Sequence, residues 1–311
     1  NGFIGNSRSI IDIKEQISED IDQKTHILIL GERGTGKEAV ANAIWQHHRK
    51  KNDTELTTFD CGGISPSLIQ STLFGAMKGS HSKADKDKKG YLESCNNKMI
   101  FLDEIGNLAL EDQQRLLRFI QFGEITPLGA NRPKKLNTQL IAATNKDVED
   151  PLVFAPDILD RFNEIITLPP LRDRKDDIPA LIDYAIDMEC KKRGLKGALI
   201  IADDLYEKMI NHNWPGNVFE IMNLAQNLIN DMVSPPQIVI IDEIKKILDN
   251  STSNSHLYDL NYKEAKEKFE KDFLIQKLKN NNWNMTITSK ILNLDRVSLY
   301  RKIKSLNIKI D

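Results

Sequence analysis

The sequence predicts an α/β fold, a parallel sheet with helices on both faces, followed by two all-helical pieces. Three observations predict it. A glycine-rich turn joins an apolar strand to a helix in HILILGERGTGKE, residues 26–38. Strand-like and helix-like segments then alternate as far as about residue 170. Beyond that point the apolar spacing is helical only. Alternation of this kind argues for parallel strands joined by helical crossovers.

The elements follow in order. Strands are expected at His26–Leu30, Thr57–Cys61, Met99–Leu102, Gln139–Thr144 and Glu164–Leu168, with helices such as Glu38–His47 and Leu110–Phe122 between them. Gly31, Gly36 and Lys37 fit the G-x-x-x-x-G-K spacing of a phosphate-binding loop. The glycines let backbone N–H groups close around phosphates, and the helix that follows directs its positive end at them. Lys37 adds a mobile positive charge for the β and γ oxygens. Gly31, Glu32, Arg33, Gly34, Thr35, Gly36, Lys37 and Glu38 are therefore the candidate residues for a nucleoside triphosphate.

A second constellation belongs with the first. MIFLDE, residues 99–104, is an apolar strand ending in two carboxylates some 70 residues after the loop. Asp103 is expected to hold Mg²⁺, and Glu104 to orient and deprotonate the attacking water. Asn145, closing LIAATN, is placed to hold a water or sense the γ-phosphate; Arg161, in PDILDRF, to reach the γ-phosphate of a neighbouring subunit.

Composition bounds the rest. An apolar fraction of 40% supports proper cores, and 28% charged residues fit a soluble protein. No apolar run approaches the roughly 18 residues that span a bilayer, so no membrane partner is expected. Cys61, Cys95 and Cys190 lack metal or disulfide spacing and read as reduced thiols of a cytoplasmic protein. His47 and His48, as helix neighbours, are not expected to share a face. The chain begins Asn1-Gly2, and the expectation is a fragment of a longer protein.

From Leu171 to about Asn250 amphipathic helices are expected at Ile178–Cys190, Ala202–His212 and Val218–Met232. Residues 250–262 read as a linker and 263–311 as a basic helical module. From Lys279 to Lys309 seven basic residues face one acid, Asp295, although the whole chain carries a net charge of −2. A basic end on an acidic body is the footprint of a nucleic-acid-binding module. Within it, two helices are separated at Asn293–Asp295, with Ile287, Ile291, Leu294, Leu299, Ile303 and Leu306 as the apolar face. Asp295, Arg296, Ser298, Arg301 and Lys302 lie on or beside the exposed side of the second helix, which suits a major groove of double-stranded DNA. Phe269, Phe273, Ile275 and Leu278 are read as a dimerisation helix.

GERGTGKE, LFG at 73–75, MIFLDEIGNL, LIAATN, LPPLRDRKDDI and WPGN at 214–217 together resemble the AAA+ domain of bacterial enhancer-binding proteins, the ATP-driven activators of sigma-54 RNA polymerase. The resemblance covers about residues 2–250. It implies an AAA+ nucleotide-binding part over 1–170, a helical lid over 171–249, ATP with Mg²⁺ as cofactors, and a homo-oligomeric ring, usually a hexamer. The end of the chain, LYRKIKSLNI above all, resembles the Fis-type helix-turn-helix, which implies a dimer on DNA.

One loop and three single residues depart from the family's pattern. The sigma-contacting loop, GAFTGA in the family, is Gly79-Ser80-His81-Ser82-Lys83-Ala84 here, without the aromatic. Asp60 stands where the family has an asparagine, Ala155 where it has the first of two arginines, and Phe219 where it has a lid arginine. The expectation is a DNA-binding transcription regulator that binds ATP, hydrolyses it slowly, and engages RNA polymerase or a sigma factor other than in the usual sigma-54 manner. The alternatives are an ATP-gated DNA-binding switch without significant turnover, and an AAA+ machine acting on another client.

Overall fold

The computed structural model describes residues 2–18, 25–48, 55–79, 86–195 and 203–230; in the C-terminal part it describes 271, 274–275, 277–278, 283, 285, 288–289 and 296–306. The chain divides into two units, Asn1–Val239 and Ile240–Asp311.

The first unit opens with α1 (Arg8–Ser18), β1 (Ile27–Leu30), α2 (Lys37–His48), β2 (Thr57–Asp60), α3 (Pro66–Leu73) and α4 (Tyr91–Ser94). It continues through β3 (Met99–Asp103), α5 (Leu110–Phe122), β4 (Glu124–Ile125), β5 (Lys134–Lys135), β6 (Gln139–Thr144), α6 (Pro156–Leu159) and β7 (Glu164–Thr167). Three helices follow: α7 (Ile178–Lys192), α8 (Asp203–Asn211) and α9 (Asn217–Asn230).

Five strands form one parallel sheet in the order β2-β3-β6-β1-β7, and β4 pairs antiparallel with β5. Alternation along each strand divides the core in two. Leu28, Ile100, Leu102, Leu140 and Ala142 pack on one face with Ile69 and Leu73 of α3 and Leu116 and Phe119 of α5. Ile27, Ile29, Phe101, Ile141 and Ala143 pack on the other with Ile10, Ile13 and Ile17 of α1 and Val40, Ala41 and Ile44 of α2. Each large apolar side chain so buried contributes roughly 1.5–3 kcal/mol of transfer free energy. The expectation of helices on both faces therefore holds, and it explains why ILIL carries no polar residue.

The five expected strands occur within a residue of the expected bounds, and β3 runs one residue further, to Asp103. That shift makes the carboxylate the last residue of the strand. The helices α1, α3, α4 and α6 and the β4–β5 hairpin were not singled out from sequence; α4 and α6 span four residues each and the hairpin strands two, too few to show a period. His47 and His48 meet edge-on with ring centroids 4.7 Å apart, so helix neighbours can touch where their rings turn toward each other. All three cysteines are free. Among the described residues no helix is long and apolar enough to cross a membrane.

In the second unit, α10 (Arg296–Ser305) packs Leu299 and Ile303 against Leu274 and Leu278, with Ile275, Trp283, Met285 and Leu306 at the edge. Leu278 is fully buried in this core. Ile287, Ile291, Leu294, Phe269 and Phe273 lie outside the described residues, as does the expected linker at 250–262.

Candidate functional site

All five parallel strands deliver their C-terminal ends to one edge of the sheet. There the loop after β1 turns into α2, and a cavity of about 940 Å³ opens over it. Arg33, Gly34, Gly36, Lys37 and Glu38 line the cavity from the loop, Asp60 from β2, Asp103 and Glu104 from β3, and Asn145 from the end of β6. Gly31, Glu32 and Thr35, also expected at the nucleotide, do not line it.

Lys37 is buried, and its Nζ donates to the carbonyls of Gly31 (3.0 Å) and Glu32 (3.2 Å) while standing 3.9 Å from Glu104 Oε1. Burial pulls its pKa below the ordinary lysine value, partly offset by the charges of Glu104 and Asp103. Burial pushes the Asp103 carboxyl above the usual range, with Glu104 adding to the rise; Lys37 pulls the other way, and Asp60 adds a smaller push. Asp60 sits beside Asp103 in the β2–β3 register and accepts the Gly62 N–H at 2.8 Å. Its charge thus bears on the expected metal ligand.

Glu104 holds a left-handed backbone, φ +54° and ψ +46°, a conformation that a side chain with a Cβ adopts at a cost. The turn carries the chain from β3 over the cavity, and Glu104 Oε2 accepts the Asn145 N–H at 3.4 Å. The two polar strand ends expected to work together are therefore adjacent. Asn107, three residues on, also lines the cavity; nothing in its local spacing marks it in the sequence.

The lid closes one side. Tyr184, Val218, Phe219 and Met222 line the cavity, and Phe219 is 60% exposed there. The Phe219 N–H donates to Gly34 O at 3.2 Å. Gly34 has φ +78°, and a Cβ on it would meet Gly216 O at 2.4 Å. A glycine is thus required at Gly34 by the lid as well as by the turn.

Two arginines and one asparagine tie lid to loop. Arg172 pairs bidentately with Glu32, at 2.9 and 2.6 Å. Buried Arg174 donates to Thr35 O at 2.6 Å. Asn217 Nδ2 donates to Glu32 Oε2 (3.2 Å) and Arg33 O (3.0 Å), and its Oδ1 accepts the Leu171 N–H at 2.7 Å. Glu32 is in this way committed to the lid; the guanidinium of Arg172 holds its carboxyl below the usual range. LRDR and WPGN carried these residues in the sequence, but nothing there showed what they touch.

The glycine loop after β1, the two carboxylates at the end of β3 and the lid residues thus share one cavity. The family model described as Sigma-54 interaction domain matches residues 3–166. The chain belongs to the sigma-54 interaction domain family. Models of the AAA+ ATPase lid domain and of the Fis family of bacterial regulatory proteins match residues 172–259 and 266–306. The anaerobic nitric oxide reductase transcription regulator NorR of Vibrio vulnificus (strain YJ016) is 32% identical over 329 residues, covering 99% of this chain and 64% of that protein. A signal-transduction and transcriptional-control protein of Clostridium beijerinckii is 34% identical, over 99% of this chain and 49% of its own length. The chain thus spans about half to two thirds of these relatives. NtrX from Brucella abortus has the same fold, with TM-score 0.71, 26% identity and coverage of 98% of this chain and 69% of its own.

Neither Arg161 nor Ala155 lines the cavity. Arg161 is exposed beyond the end of α6. Ala155 is buried, its N–H donating to Gln113 Oε1 at 2.8 Å. Gly79 is exposed with φ +78°; Ser80, His81, Ser82, Lys83 and Ala84 lie outside the described residues. In α10, Arg296 and Ser298 occupy the first turn, Arg301 is exposed and Lys302 partly so, while Asp295 lies outside the described residues.

Proposed function

We propose that the chain is the ATP-binding and DNA-binding part of a cytoplasmic transcription regulator of the sigma-54 activator type. Residues 1–170 form the AAA+ nucleotide-binding part, 171–249 its lid, and 263–311 the helix-turn-helix. The convergence of Lys37, Asp103, Glu104 and Asn145 on one cavity carries this reading. NtrX, of the same fold, has been solved in complex with ATP, at TM-score 0.70 and 25% identity. UacR of Escherichia coli, described as a putative uric acid sigma-54-dependent transcriptional regulator, is 33% identical over 98% of this chain.

The residues fit a triphosphate with its cation. Gly34 and Gly36 take left-handed φ values, and apart from its immediate chain neighbours nothing lies within 4 Å of where a Gly36 Cβ would stand, which leaves room against the loop. Lys37 is held at that point by carbonyls, which cannot neutralise it as phosphate oxygens can. ATP supplies the phosphoryl group that is transferred. Asp103 would hold Mg²⁺. Glu104, anchored by Asn145, orients a water and takes its proton. Arg161 serves a neighbouring subunit's site, so turnover needs a homo-oligomeric ring, such as a hexamer, with ATP at its subunit interfaces; the helix-turn-helix modules pair as dimers on DNA.

Turnover is slow. An arginine that stabilises transferred phosphoryl charge contributes ~10³–10⁵ in rate. Here the lid presents Phe219 to the cavity, and position 155 is a buried alanine. The loop at 79–84, without its aromatic, changes how a sigma factor or RNA polymerase is met. Phe219 also favours a second reading, in which ATP only sets the oligomeric state and gates DNA occupancy.

The test is steady-state ATP turnover over a range of protein concentrations, with Glu104→Gln as control. Turnover that rises with concentration and vanishes in the variant supports the assembling ATPase. Binding without turnover selects the switch. ATP hydrolysis without binding to any DNA would instead leave an AAA+ machine with another client.

A further inference from the structure

Arg33, Arg172 and Arg174 all stand at the phosphate loop, but they differ in what they hold. Arg172 is bound to Glu32 and Arg174 to Thr35 O. Arg33 is exposed and lines the cavity, and among the described residues its guanidinium makes no ion pair or hydrogen bond.

The backbone at Arg33 is pinned from the lid. Its carbonyl accepts Asn217 Nδ2 at 3.0 Å, and the next carbonyl, Gly34 O, accepts the Phe219 N–H at 3.2 Å. The preceding side chain, Glu32, is held by Arg172. The Arg33 side chain therefore leaves a fixed point on the cavity wall with its N–H donors uncommitted.

The cavity is rich in acids, yet none of them binds it. Glu38, Asp60, Asp103 and Glu104 line the wall, and among the described residues the ion pair formed there joins Lys37 to Glu104, at 3.9 Å. Lys37 is also drawn inward by the carbonyls of Gly31 and Glu32. Of the lining cations, Arg33 and Lys146 are exposed. Lys146 lays its stem over Gly106, where an added Cβ would meet Lys146 Cγ at 2.8 Å. Arg33 is the exposed cation that belongs to the phosphate loop itself.

We propose that the Arg33 guanidinium grips the γ-phosphate of ATP in its own subunit and so tells ATP from ADP. This rests on the reading of the cavity as an ATP site. It holds for the ATPase and for the ATP-gated switch alike. Chain order selects the phosphate. The amides at the start of α2 take the phosphates nearer the nucleoside, and Lys37 reaches the β and γ oxygens. Arg33 precedes that turn, on the stretch that the lid grips, and faces the far end of the triphosphate. The lid residues there, Tyr184, Val218, Phe219 and Met222, bring no cation of their own. Arginine suits the task, because its planar fork binds two phosphate oxygens at once.

The experiment measures ATP and ADP binding with Mg²⁺ by isothermal titration, on the full chain carrying Glu104→Gln so that ATP stays intact. Adding Arg33→Ala is expected to weaken ATP at least about tenfold, the scale of a hydrogen bond to a charged group, and to leave ADP within about twofold. The loss is the same at low and high protein concentration. The thermal midpoint of the nucleotide-free protein stays unchanged, because the side chain holds nothing in the fold. Lys146→Ala keeps the preference for ATP over ADP. Equal losses for both nucleotides overturn the proposal, as does no loss for either. A preference lost with Lys146→Ala and kept with Arg33→Ala overturns it in favour of Lys146. A loss that appears only at high protein concentration overturns it by placing Arg33 at a neighbour's site. Lys37→Ala separates the two readings. If it leaves ATP binding intact, the ATP site and the proposal fall together; if it weakens ATP while Arg33→Ala does not, the proposal alone falls.

Discussion

Asn217, at the first turn of α9, donates to Glu32 Oε2 at 3.2 Å and so joins the lid to the phosphate loop 185 residues earlier. The same side chain accepts the Leu171 N–H and donates to Arg33 O, and it is fully buried with φ +54°. Asparagine tolerates that left-handed backbone better than most residues, and its amide supplies donor and acceptor at once.

Asn217→Ala is therefore expected to destabilise the first unit by about 2–4 kcal/mol, since it leaves buried groups unpaired and retains the positive φ. Urea denaturation of the two proteins measures this. A loss below about 0.5 kcal/mol would mean the clamp is not a structural element.

Lys37→Ala is expected to weaken ATP binding by about 10–100-fold, the scale of a hydrogen bond to a charged group. Glu104→Gln should bind ATP and not turn it over. Because Arg161 is exposed and outside its own cavity, Arg161→Ala mixed with Lys37→Ala should recover turnover that neither shows alone. Isothermal titration and phosphate release read the two effects; no recovery on mixing removes Arg161 from the trans role.

Phe219→Arg places a cation at the cavity wall where the lid meets Gly34. Turnover should rise about tenfold or more, within the range by which one transition-state donor changes kcat. A change in KM with kcat constant would mean that the position only binds substrate.

Asp60→Asn removes one negative charge from beside Asp103. Metal binding requires the Asp103 carboxylate, so affinity is lost as pH falls through its raised pKa. Burial and Glu104 set most of that rise and Asp60 the smaller part. The variant should therefore keep Mg²⁺-dependent nucleotide binding to somewhat lower pH than the parent. Coincident pH profiles would show that Asp60 does not act on Asp103.

His26 is depressed to about 4 by burial, against 6.5 in an unfolded chain, with a backbone hydrogen bond to Ile120 opposing. Its Nδ1 accepts the Leu140 N–H at 3.1 Å. The unfolded state binds the proton first, so stability present above pH 6.5 is lost as pH falls toward 4, by about 2–3 kcal/mol. His26→Asn, which does not titrate, should show a flatter stability profile across that window in urea melts.

The site was legible in the sequence where chemistry follows chain-local spacing. Gly31 to Lys37 form one loop, and Met99 to Glu104 one strand with its end, so their geometry is set by neighbours along the backbone. Asn145 was legible for the same reason, as the residue after an apolar strand. Arg172, Arg174 and Asn217 fall within LRDR and WPGN, but their partners Glu32, Thr35 and Arg33 lie far away in sequence. Nothing in local periodicity encodes a hydrogen bond between residues 217 and 32.

The sequence by itself determined the α/β class, the strand order along the chain and the phosphate-loop chemistry, because hydrophobic period and loop glycines act over a few residues. Only the tertiary structure decided that Phe219 faces the cavity, that Glu32 belongs to the lid clamp and that Asp60 lies against Asp103. Those relations come from strand register and helix packing, which place residues by shape and hydrogen bonding across the fold and leave no mark on spacing along the chain.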